Sequence, residues 1–110
     1  MKVALDRVMK TIAGVPVKDD SNPDKTLNLR AVAVNALLAP FPDEQSLSGE
    51  DKLKRYLLAQ KVYASIYASM ELHTELTVEE VALIKKLIGK MYTNLIAGQA
   101  WQMLEDEKAA

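Results

Sequence analysis

The sequence contains no cysteine. Disulfides, thiol nucleophiles, thiolate zinc sites and iron–sulfur clusters are excluded together, and the composition fits a reducing compartment. Its single histidine, His73, excludes any site built from two imidazoles. Apolar runs last only a few residues, far short of the roughly 20 needed to span a bilayer. Lys2, Asp6, Arg7 and Lys10 interrupt the first residues, so no secretory signal is expected there. Neither sign of charge prevails: 14 Lys and Arg face 15 Asp and Glu, for a net charge of -1. Cut after Arg55, the chain has 9 basic and 8 acidic residues, then 5 and 7. There is no polybasic arm and no acidic tail, so bulk charge does not point to nucleic acid or a membrane. Gly14, Gly89 and Gly98 stand apart and form neither a Walker loop nor a dinucleotide fingerprint.

What is present suits one small domain over residues 1–110, with 49% hydrophobic and 26% charged residues. Leu5, Val8, Met9 and Ile12 are spaced for a short first helix ending before Gly14, with a strand through Val3 and Leu5 as the alternative. Gly14 to Asp24 reads as a loop with a short extended piece at residues 15–17. Thr26 or Asn28 can cap a second helix; with Asn28 as the cap, Leu27 can staple against Val32. Leu29, Val32, Ala33, Ala36 and Leu37 carry its face until Pro40 and Pro42 stop it.

Ser48 and Asp51 mark the start of a third helix. Along it Leu53, Tyr56, Leu57, Gln60, Tyr63, Ile66, Tyr67 and Met70 recur at three- and four-residue steps, flanked by Lys52, Lys54, Arg55 and Lys61. Residues 71–76 read as a connection. Thr77 and Glu80 then form a capping box, with Leu76 and Val81 as its hydrophobic staple. Val81, Ile84, Leu87, Ile88, Met91, Leu95 and Ile96 continue the apolar set, and Thr93-Asn94 marks a break before a last helix bearing Ala100, Met103 and Leu104. Residues 105–110 are expected to fray. The fold expected is all-α: a small bundle of four or five helices.

Several residues invite a chemical reading. Asp20, Asn22 and Asp24 imitate the first ligands of a calcium loop, but Lys25 and Ala31 occupy the places of the glycine and the bidentate glutamate, so a plain turn is expected. His73 has Glu71, Glu75, Glu79 and Glu80 nearby, a common surface arrangement for which no metal or catalytic role is expected. No paired catalytic groups stand out, so no enzyme activity and no cofactor are expected. Tyr56, Tyr63 and Tyr67 beside Lys52, Lys54, Arg55 and Lys61 could stack bases and pair phosphates; as core or interface residues they would bring their rings to another surface. Trp101 lies on a helix whose core face is already supplied by Leu95, Ala100, Met103 and Leu104. It reads as core filling or as an interface anchor beside adaptable methionines such as Met70. Gly98 reads as a point of close helix packing.

Three blocks carry a resemblance: Thr26-Leu27-Asn28-Leu29 with Asn35-Ala36-Leu37-Leu38, Ser48-Gly49-Glu50-Asp51-Lys52 with Arg55-Tyr56 and Leu58-Ala59, and Leu76-Thr77-Val78-Glu79-Glu80 with Ile84-Lys85-Lys86. Together they resemble a family of small proteins encoded by tailed phages and prophages. The resemblance implies a helical fold and a phage origin, and carries no catalytic residue. The function expected is therefore a non-enzymatic, phage-encoded protein–protein interaction module that associates with itself or with a phage or host protein. Its interface candidates are Tyr56, Tyr63, Tyr67, Met70 and Trp101. It would act in virion assembly or as a structural component, in the cytoplasm of a bacterial host or in the virion. Two alternatives are a small inhibitor of a host protein and a nucleic-acid-binding regulator using the third helix.

Overall fold

A computed structural model describes residues 2–5, 7–19, 22–44, 47–68 and 73–105. These form four helices, α1 (Leu29–Leu38), α2 (Gly49–Ala68), α3 (Val78–Met91) and α4 (Asn94–Glu105), so the chain is mainly helical as its periodicity predicts. Four short strands, β1 (Lys2–Ala4), β2 (Lys18–Asp19), β3 (Asn22–Thr26) and β4 (His73–Glu75), accompany them. None of the described helices is long and apolar enough to cross a membrane.

The helix starts follow local chemistry. A new helix leaves its first amides unpaired, and the starts of α1, α2 and α3 each supply a side-chain acceptor. Asn28 Oδ1 takes the Ala31 amide at 2.9 Å, and Ser48 Oγ takes that of Asp51 at 3.1 Å. Thr77 and Glu80 close the capping box in both directions, at 3.1 and 2.8 Å. Leu76 and Val81, on either side of that box, are both buried. The break between α3 and α4 falls at Tyr92-Thr93, one residue before the Thr93-Asn94 expected from sequence, and Asn94 already opens α4.

The N-terminal segment differs from the expected helix. β1 pairs antiparallel with β4, Val3 opposite Thr74. The connection read over residues 71–76 thus holds a strand. The carbonyls of Leu5 and Arg7 accept the Arg30 and Leu29 amides at 2.9 Å each, which completes the capping of α1. A ring of three main-chain hydrogen bonds then joins Met9, Leu27 and Val17, each of 2.8–2.9 Å. A helix over residues 5–12 would have spent those backbone groups internally. As an extended chain, the segment buries Val3, Leu5 and Met9 on one side by alternation and leaves Ile12, 94% exposed, at a hairpin tip. Gly14, at φ 86°, provides the turn. The extended piece expected at 15–17 is there: Pro16 bridges Lys10. The Asp/Asn cluster belongs to the β2–β3 pair, although Asp20 and Ser21 lie outside the described residues.

The short α1 stands at the centre. It packs on α2, α3 and α4, and buries Leu29, Arg30, Val32, Ala33, Ala36 and Leu37. The Arg30 Nε donates to the Val62 carbonyl at 3.2 Å, tying α1 to α2 from inside the core. α3 contributes Val81, Ile84, Leu87 and Ile88, and α4 adds Ile96, Ala100 and Leu104. Met91, from the expected apolar set of α3, is instead exposed.

Candidate interaction surface

Among the described residues, α2 has its extensive contact with α1 alone. The side it turns inward carries Arg55, Leu58, Ala59 and Val62. At about 100° per residue those four fall within a narrow arc, and Leu53, Tyr56, Leu57, Gln60 and Tyr63 fall on the opposite one. Leu53, Tyr56, Leu57 and Tyr63 are each between 51% and 56% exposed. The long apolar stripe of the sequence is therefore the outward face of the helix, and the small Ala59 sits where α2 meets the core. Gln60 Nε2 donates to the Tyr56 hydroxyl at 2.9 Å within the stripe. Leu53 and Leu57, which were not singled out as interface candidates from sequence, belong to the same surface. The Tyr67 side chain and Met70 lie outside the described residues.

Each edge of the stripe borders a cleft. One, of about 600 Å³, lies between the end of α1, the Pro40-Phe41-Pro42 turn and the start of α2, with Lys52 and Tyr56 on its lip. The other, of about 420 Å³, lies between α2 and α3 and is lined by Leu57, Leu58 and Leu83 with Lys54, Lys61, Glu79 and Glu80.

The four cations named as a phosphate-binding set have separate fates. Arg55 is buried, and its two terminal nitrogens each reach a Glu44 oxygen at 2.7 Å. Lys90, lying 5.4 Å from the Phe41 ring centre, adds a second cation to Glu44 at 3.3 Å. The Arg55 hydrogen bonds, opposed by burial and aided by Lys90, hold the Glu44 carboxyl at a pKa of about 2. Arg55 thus belongs to a structural pair with Glu44, because a buried guanidinium needs its charge and its donors satisfied. Lys61 bonds Glu80 at 2.9 Å. Burial alone would raise the Glu80 pKa, but the Thr77 amide and Lys61 pull it below the ordinary carboxylate value. Lys52 and Lys54 stay exposed beside the stripe.

No family model, curated protein or solved structure matches this chain.

Trp101 does not join the α2 surface. It lies on α4, which packs on α3, α1 and β1. Its indole N–H donates to the Lys85 carbonyl at 3.0 Å, and the Lys85 ammonium sits 5.5 Å from the ring centre. At 42% exposed, the ring spreads over α3 beside Gly89 and does not fill the core, contrary to the core-filling expectation. Gly98 has open space around it, so it is not the close-packing point that the sequence suggested. Among the described residues no group of three His, Asp or Glu side chains is placed to hold a metal. His73 lies in β4, its side chain outside those described.

Proposed function

We propose that this chain is a non-enzymatic protein–protein interaction module and that the outer face of α2 is its contact surface. The observation that carries this reading is the two-sided helix: four large apolar side chains point outward at helical spacing, opposite the face that serves the core. They present roughly 400 Å² of mostly apolar surface, the scale at which exposed patches commonly mark binding sites. Tyrosine suits such a place, since its ring can be covered while its hydroxyl stays solvated. In the phage setting that the sequence resemblance implies, a module of this kind would serve virion assembly or structure, or would occupy a host protein. Nucleic acid suits the surface less well, because Arg55 and Lys61 already bond carboxylates.

The test compares wild type with a Leu53→Lys/Leu57→Lys variant in two settings, sedimentation of the purified protein and affinity capture from infected cells. The reading predicts an association with a protein, of either kind, that the variant loses while keeping its helical circular dichroism. An association that persists in the variant, or none in either setting, refutes it.

A further inference from the structure

The outward stripe has a finer order than general amphipathicity. Leu53, Tyr56, Gln60 and Tyr63 are separated by three, four and three residues. The sequence continues the same alternation to Tyr67 and Met70. A 3-4 alternation is the 3.5-residue repeat by which one helix receives a second helix, with side chains of each entering gaps in the other. A single polar residue within such a seam fixes register and orientation, and Gln60 holds that position here.

We infer that the helix received by α2 is the α2 of a second copy of this chain, packed antiparallel about a two-fold axis close to Leu57. The inference rests on α2 being a contact surface and names what covers it. A two-fold contact must match itself. The residues bordering the stripe carry both signs with no large excess of either, Glu50, Asp51, Glu79 and Glu80 lying beside Lys52, Lys54 and Lys61. A strongly acidic or basic partner would meet no such excess to complement. Running parallel would bring Glu50 and Asp51 of both copies together at one end. Running antiparallel separates them and also opposes the two helix dipoles favourably.

Antiparallel layering sets Leu53 against Tyr63 of the second copy, and Tyr56 against its Gln60, with both pairs repeated across the axis. The bond Gln60 makes to Tyr56 within one copy can then be exchanged for the same bond between copies. These layers centre the axis at the height of residue 58, so the two Leu57 side chains flank it, offset by about 3 Å along the helices, beside the cleft between α2 and α3. A 20-residue helix is about 30 Å long. Two such stripes bury roughly 800 Å² in total, the scale of weak, transient contacts, so a dissociation constant on the order of 100 μM is expected.

The absence of native cysteine makes the test clean. Sedimentation of the purified chain alone is expected to show a monomer–dimer equilibrium, with Leu57→Lys raising the dissociation constant at least tenfold. Under mild oxidation Leu57→Cys is expected to form a disulfide-linked dimer and Gln60→Cys to remain unlinked, because a parallel pair would instead bring the two Gln60 positions together. A monomer up to several hundred micromolar overturns the second-copy proposal. It leaves the broader interaction reading to the capture experiment. A dimer insensitive to Leu57→Lys, one linked through Gln60→Cys, or one linked by neither cysteine overturns the antiparallel α2 pairing.

Discussion

Leu57 and Leu58 are neighbours in sequence and chemically identical, yet the fold gives them opposite surroundings: Leu58 is 6% exposed in the core, and Leu57 is half exposed. The same substitution at each therefore isolates the effect of burial. Leu58→Ala removes side-chain carbons from a packed interior and leaves a cavity against α1. This costs about 2–3 kcal/mol. For a domain of this size each kcal/mol moves the melting temperature by about 4 °C, so a drop of about 10 °C is expected. Leu57→Ala removes the same atoms from a site already in water, with an expected cost below about 0.5 kcal/mol and a shift within about 2 °C. The assay is thermal unfolding followed by circular dichroism at about 1 μM protein, dilute enough that association adds little to stability. Equal losses at the two positions, or a larger loss at Leu57, would refute the assignment of the faces of α2.

Thr77→Ala removes one half of the capping box and should cost about 1 kcal/mol in urea unfolding, with little change if the box adds nothing. Gln99 holds the Lys10 backbone like a neighbouring strand, accepting from its amide at 2.8 Å and donating to its carbonyl at 2.6 Å. Gln99→Ala should therefore cost about 1–2 kcal/mol and speed exchange of the Lys10 amide; unchanged exchange would count against the clamp. The Glu44 carboxyl, held at about 2 against an ordinary 4.5, stabilises the fold while it is ionised. Its contribution is complete above the unfolded value and is lost as pH falls from about 4.5 toward 2. Urea midpoints should decline across that window more steeply in wild type than in Glu44→Gln; parallel profiles would show that the Arg55 pair does not have this role.

The parts of the fold legible in sequence are those decided within a few residues. Asn28, Ser48 and the Thr77–Glu80 box can be read because a cap and its amides are adjacent in the chain. The N-terminal segment could not be read in this way. Its conformation is set by β4, more than sixty residues further on, and by the open amides of α1. The alternation of Val3, Leu5 and Met9 was the available signal, and the helical spacing of Leu5, Val8, Met9 and Ile12 competed with it. On α2 the difficulty was an excess of signal, since apolar residues recur at helical spacing on two faces. What selects the inner face is Ala59, small enough for close approach, together with the Glu44 partner that allows Arg55 inside. Neither advantage appears in a hydrophobicity pattern. Trp101 was equally ambiguous, because the Lys85 carbonyl that holds its indole belongs to another helix.

The most direct test of the account is a cysteine scan along α2, with single substitutions at 53, 56, 57, 60 and 63 and at 58, 59 and 62, each thiol timed against a water-soluble reagent. The account predicts rapid labelling of the first set in dilute protein, slowing as concentration rises, and slow labelling of the second set throughout. Rapid labelling at 58, 59 or 62, or protection at 53, 56, 57 and 63 in dilute protein, would contradict it.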